Sequence, residues 1–150
     1  EEFKNKITKK SRLIGLDLGS KRIGIAICDE YQSIATPFKT LQKDNFNKFL
    51  DELKLIIKEN NIEGIIVGNP INMDGSLGPS AQSVKDVCVN ILNNINMPLC
   101  LWDERLSTSA VQRFLTDEAD MTRKRRGEVV DKLAAAYILQ GALDSLQNNN

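Results

Sequence analysis

Two short apolar runs, Leu13-Ile14-Gly15-Leu16-Asp17-Leu18 and Ile23-Gly24-Ile25-Ala26-Ile27-Cys28, are separated by the turn-forming residues Gly19-Ser20-Lys21-Arg22. Each run has the length and composition of a strand, and the Gly-containing spacer between them reads as a hairpin. A chain that opens this way starts an antiparallel sheet. A third strand is expected near Ile34 to Leu41, where Pro37 argues for an edge position, since proline has no N–H to donate to a ladder.

The hydrophobic period then changes. Phe46, Phe49, Leu50, Leu53, Ile56 and Ile57 recur at helical spacing, with Asp44 as the expected N-cap. Ile62 to Val67 is a continuous apolar run closed by Gly68-Asn69-Pro70, the pattern of a parallel strand covered on both faces. Val84, Val87, Cys88, Ile91, Leu92 and Ile95 return to helical spacing, and Pro98 to Trp102 is another strand, ending at Asp103-Glu104. Ser107 is positioned to cap a helix carrying Val111, Phe114 and Leu115. Asp117 to Gly127 reads as a charged connection, and the last helix is expected from about Glu128 to Leu146. The order βββ-α-β-α-β-α-α predicts an α/β domain: a mixed sheet with an antiparallel hairpin start and parallel strands after it, flanked by helices. At 150 residues the chain suits one domain, expected over 12–146, with polar tails at 1–11 and 147–150.

Histidine is absent, which excludes Ser-His and Cys-His nucleophile pairs, His-bound zinc and His general bases. The three cysteines, Cys28, Cys88 and Cys100, form no CxxC pair and read as reduced core thiols of a cytoplasmic protein. No apolar run approaches the roughly 18 residues of a membrane span, so a membrane role is not expected. Twenty basic and twenty acidic residues cancel, leaving the distribution of charge to carry any information about partners.

Three acids stand at informative places. Asp17 lies inside an apolar strand, where a charge is costly unless it is paired or binds metal. The bland alternative is a salt bridge to Lys21 or Arg22. Of Asp103 and Glu104, which alternate across the strand, the longer Glu104 is preferred as a companion of Asp17, the alternative being a pair with Arg105. Asp131 is expected in the first turn of the last helix. The helix dipole could explain it there, but the face continuing through Ala134, Ala135, Ile138 and Ala142 is small enough to approach the sheet closely and carry Asp131 with it. If the three converge, like charges about 4 Å apart repel by about 4 kcal/mol at an effective dielectric of 20, which Mg²⁺ or Mn²⁺ would relieve. Two such ions can clamp the attacking and leaving oxygens of a phosphodiester, chemistry that needs no histidine. Lys21 and Arg22 in the first turn, and the run Arg123-Lys124-Arg125-Arg126, suit phosphate contacts, although such a run read alone is as readily a solvated loop. The loop Asn69 to Ser76, with Asn69 and Asn72, follows the C-terminal end of a strand, where α/β sheets place ligands.

Gly15-Leu16-Asp17-Leu18-Gly19-Ser20-Lys21-Arg22-Ile23-Gly24-Ile25-Ala26 resembles the opening motif of the YqgF family, described as Holliday-junction-resolvase-like or as pre-16S ribosomal RNA nucleases. Val67 to Ser76, Asp103-Glu104-Arg105-Leu106-Ser107-Thr108 and Val130-Asp131-Lys132-Leu133-Ala134-Ala135 match further blocks in order, so the resemblance spans roughly residues 12–146. It departs from a common family pattern at Asn69, where Leu is usual, and at Ser107, where Thr is frequent. The resemblance implies a ribonuclease-H-like fold. It also implies a metal-dependent endonuclease whose Asp-Glu-Asp set falls on Asp17, Glu104 and Asp131, with Mg²⁺ or Mn²⁺ as cofactor. Arg105 and Lys132, inside the matched blocks, join the expected nucleic-acid-binding set. The implied partners are a 16S rRNA precursor, ribosomal particles or branched DNA, met in the cytoplasm by a monomer or homodimer.

Two other classes compete. The Asp17-x-Gly19 turn is also similar to the phosphate loop of the actin and sugar-kinase superfamily, although a chain of this length supplies one of the two domains those proteins use to hold ATP. A non-catalytic RNA-binding factor of ribosome assembly would keep the basic residues without needing the acids.

Overall fold

The computed structural model describes residues 12–19, 21–69, 79–103 and 123–148. Strands β1 (Arg12–Leu18), β2 (Arg22–Cys28) and β3 (Ala35–Gln42) are followed by helix α1 (Phe46–Glu59) and strand β4 (Ile62–Asn69). Helix α2 (Pro79–Asn94), strand β5 (Leu99–Asp103) and helix α3 (Arg123–Asn148) complete the described elements. The five strands form one sheet in the order β3-β2-β1-β4-β5. β1, β2 and β3 pair antiparallel, whereas β1, β4 and β5 run parallel. This is the mixed α/β sheet that the hairpin and the later alternation of strands and helices predict. β3 is an edge strand, as Pro37 predicts, and its ladder to β2 shifts register beside Pro37.

The strands alternate their side chains between two cores. One face carries Ile14, Leu16, Ile23, Ile25, Ile27, Ile65 and Val67 against Phe49, Leu50, Leu53 and Ile56 of α1 and Val84, Cys88 and Ile91 of α2. The other carries Leu13, Ala26, Cys28 and Ile66 against Ala135, Ala136, Ile138, Leu139, Ala142 and Leu143 of α3. Among the described residues, no helix is long and apolar enough to cross a membrane.

Helix boundaries differ from the sequence expectation in two places. Asn45, not Asp44, is the N-cap of α1: its side chain accepts from the Lys48 backbone N–H at 3.1 Å. Both residue types cap well, so one residue of register decides between them. The last helix starts at Arg123 rather than near Glu128, so Arg123 to Arg126 open a helix instead of closing a connection. Bases are disfavoured in a helix's first turn, which is why the run read as loop. The helix expected after Ser107 lies outside the described residues.

Candidate active site

The parallel strands β1, β4 and β5 bring their C-terminal ends to one end of the sheet. Leu16 pairs with Val67, Val67 with Leu101, Gly68 with Trp102 and Asn69 with Asp103. Asp17 therefore stands level with the ends of β4 and β5. Its cross-strand neighbour on β2 is Gly24. Residues directly opposite in an antiparallel pair share a face, so Asp17 and Gly24 look the same way.

That way is toward α3. A Cβ added to Gly24 would overlap the carbonyl of Asp131 and lie 2.9 Å from the Lys132 nitrogen. The helix backbone thus rests directly on the glycine. Two residues back along β1, a Cβ at Gly15 would lie 3.0 Å from the Ala135 carbonyl and 2.8 Å from Leu139 Cβ. Any side chain at Gly24 would lift this stretch of α3 off the sheet. With glycine there, the backbone of Asp131 sits beside the cross-strand partner of Asp17. Two acids 114 positions apart in sequence are brought to one end of one face of the sheet.

Asp131 is the ninth residue of α3, not part of its first turn. The helix-dipole account of this acid therefore fails, because the dipole's influence dies away within a turn. Its carboxylate Oδ2 accepts a hydrogen bond from Arg22 Nε at 2.7 Å, with both side chains partly buried. The strand-end turn below this pair is tied together. Gly19 N–H lies 3.2 Å from the Asp17 carbonyl and 3.0 Å from the Arg22 carbonyl. Lys43 donates its backbone N–H to the Lys21 carbonyl at 3.1 Å and its ammonium to the Gly19 carbonyl at 3.1 Å.

Of the other expected site residues, Lys21 is exposed in the β1–β2 turn and Lys132 is half-buried beside Asp131. Arg123, Lys124, Arg125 and Arg126 form the opening of α3, two turns before Asp131. Asn69 and Asp103 close β4 and β5, and only their backbone is described. Asn72, Glu104 and Arg105 lie outside the described residues. Among the described residues no group of three acids, histidines or cysteines is assembled for a metal ion. Asp17 and Asp131 are the two expected acids whose side chains are described, and carboxylates are hard oxygen donors, the chemistry that Mg²⁺ or Mn²⁺ takes. The cysteines do not offer alternative chemistry. Burial pushes the Cys88 thiol up to about 11 and raises that of Cys28, so neither is a ready thiolate.

Sequence reading missed two features. Gly24 is a strand glycine, and a glycine inside a strand signals close approach of another backbone, a signal that was available. Lys43 carries no local signal, because its role depends on where the β1–β2 turn lies.

A mixed sheet in this order, with helices packed on both faces, defines the class by its fold, which is ribonuclease-H-like. Solved structures share the fold. A Thermus thermophilus RuvC in complex with Holliday junction substrate aligns with a TM-score of 0.53 at 12% identity, over 91% of this chain and 96% of that one. The yeast mitochondrial Holliday junction resolvase aligns with a TM-score of 0.52 at 13% identity, over 98% of this chain and 85% of that one. The chain belongs to the RuvX family, whose model, described as Holliday junction resolvase, matches residues 11–145. A protein of Pelagibacter ubique named "Putative pre-16S rRNA nuclease" is 62% identical over 148 residues, 99% of this chain and 97% of that protein. One of the same name from Paramagnetospirillum magneticum is 50% identical over 139 residues, 93% of this chain and 89% of that protein.

Proposed function

We propose that this chain is a metal-dependent endonuclease that hydrolyses phosphodiester bonds in the precursor of 16S rRNA. The observation that carries the proposal is the seating of α3 on Gly24, which delivers Asp131 to the strand end that bears Asp17. Gathering two partly buried acids at one place is unfavourable unless a cation or a positive side chain offsets their charge. The names of the relatives favour an RNA precursor as substrate, and the fold shared with resolvases makes branched DNA the second substrate to test.

Asp17, Asp131 and Glu104 would hold one or two Mg²⁺ or Mn²⁺ ions. The alternation that puts Cys100 and Trp102 on the α3 face favours Glu104 over Asp103 as the third ligand. Bound there, the metal would lower the pKa of the attacking water and stabilise the leaving oxygen. The protein's own task is to hold the phosphodiester in place. Lys21 stands in the exposed turn next to Asp17, and Lys132 follows Asp131. Arg126 precedes Asp131 by five residues, about 7.5 Å along the helix axis. These bases would bind backbone phosphates on either side of the acids, assisted by Asn69, Asn72 and Arg105. Action on a ribosomal RNA precursor would take place in the cytoplasm, and the free thiols of Cys28, Cys88 and Cys100 fit a reducing compartment.

The test is cleavage of a 5′-extended 16S rRNA precursor and of a four-way DNA junction, each with Mn²⁺, Mg²⁺ or EDTA. Asp17→Asn runs alongside to exclude a contaminating nuclease. Metal-dependent cuts in the RNA that fall about a thousandfold in the variant are expected, a loss of about 4 kcal/mol of transition-state stabilisation. Wild-type cutting by Asp17→Asn removes the acid from the mechanism. RNA binding without any metal-dependent product supports the assembly-factor alternative.

A further inference from the structure

Sequence reading puts Arg22 among the phosphate contacts, but in the structure its guanidinium Nε is committed to Asp131 Oδ2. We infer that Arg22 is a positioning residue that orients the Asp131 carboxylate toward the metal site. The inference rests on the reading of Asp131 as a metal ligand.

Both ends of the pair are anchored. On the strand side, the Arg22 carbonyl is tied to Gly19 N–H, and the same N–H reaches back to the Asp17 carbonyl. Lys43 closes this turn from outside, through its backbone N–H on Lys21 and its ammonium on Gly19. On the helix side, the Asp131 backbone rests on Gly24, two residues along β2 from Arg22 and therefore on the same face. The backbone of neither residue can move away without lifting α3 or opening the turn. A carboxylate's terminal torsion is soft and nearly two-fold. One short, charge-assisted hydrogen bond from a planar donor is what such a group needs to hold a single orientation. Arg22 thereby couples the turn that follows Asp17 to the helix that carries Asp131. Its charge has a cost in this role, since a guanidinium beside a divalent cation opposes the cation by Coulomb repulsion. Charge and orientation act in opposite directions, so a substitution that keeps the charge and removes the planar donor separates them.

Arg22→Lys is that substitution. Mn²⁺ binding is measured by water-proton relaxation on the protein without nucleic acid. Arg22→Lys is expected to weaken Mn²⁺ binding about tenfold, the low end of what loss of a ligand's hydrogen-bond partner causes. The Mn²⁺ concentration for half-maximal cleavage should rise by a similar factor. Arg22→Gln, titrated with RNA in EDTA over a salt series, should keep the wild-type salt slope. Two outcomes overturn the inference: wild-type Mn²⁺ affinity in Arg22→Lys, or a salt slope shallower by about 0.7 to 0.9 in Arg22→Gln, the signature of one lost phosphate contact. Asp131→Asn separates this failure from failure of the site reading. If that variant binds Mn²⁺ as wild type does, Asp131 is not a ligand, and the role given to Arg22 falls with it.

Discussion

The two faces of the sheet are built from the same strands by different rules. Toward α1 and α2, β1 and β2 present Ile14, Leu16, Ile23, Ile25 and Ile27. Toward α3 they present Leu13, Gly15, Gly24, Ala26 and Cys28, with Asp17 at the end of the row. Bulky branched residues on the first face keep the helices at side-chain distance and fill a core to which many apolar sequences are adequate. On the second face, glycine and alanine let a helix backbone settle on the strands. A helix held off by isoleucines could not bring the backbone of Asp131 to Gly24. The first face supplies stability and the second supplies placement, so substitutions on the two should separate folding from activity.

The largest loss of stability is expected on the first face. Leu53 is fully buried there, and Leu53→Ala should cost about 2–5 kcal/mol, measured by urea denaturation. Cleavage per folded molecule should remain near wild type. A loss of activity at temperatures where the variant is folded would break the division between the faces.

On the second face, Gly24→Ala should cost less stability and more activity. The obstacle is the backbone carbonyl of Asp131, which cannot swing aside as a side-chain end can. A cost of about 1–3 kcal/mol is expected from the forced shift. Cleavage should fall about a hundredfold, because a misplacement of about 1 Å is enough for that. Wild-type activity in this variant would show that the seating of α3 on Gly24 is not what places the acid.

Gly141→Ala sharpens the same point with the smallest effect. A Cβ there would lie 2.9 Å from Trp102 Nε1, so the neighbour is an indole edge and not backbone. Replacing a helical glycine by alanine gains up to about 1 kcal/mol in propensity, which offsets a small movement of the ring. The melting midpoint should stay within a few degrees of wild type, with activity unchanged. A large loss would extend the strict packing demand along the whole of α3.

Particular residues explain how far the sequence was legible. The apolar runs around Gly19 to Arg22 implied a hairpin because few other arrangements bury two such runs so close in sequence. Ile62 to Val67 read as a strand covered on both sides, and β4 lies inside the sheet with Ile65 and Ile66 buried toward opposite cores. The cap of α1 and the start of α3 were misplaced. Caps depend on single hydrogen bonds, and a basic first turn in α3 runs against the local preference that sequence reading relies on. Asp17 stood out because an acid in an apolar strand has to be accounted for. The partner of Arg22 was not legible. Lys21, Arg22 and Asp17 are local neighbours, and the carboxylate that Arg22 contacts arrives from 109 residues away.

The order of elements, the alternation that assigns each strand residue to a face, and the suspicion attached to Asp17 all follow from local covalent geometry and the cost of burying charge. Those quantities are written residue by residue, so the chain by itself determines them. Which acid stands beside Asp17, how closely α3 approaches the sheet, and whether Arg22 meets a phosphate or a carboxylate depend on the contact between a strand and a helix joined through most of the chain. Only the tertiary structure decides those, because Gly24 is an ordinary strand residue until the backbone of Asp131 rests on it.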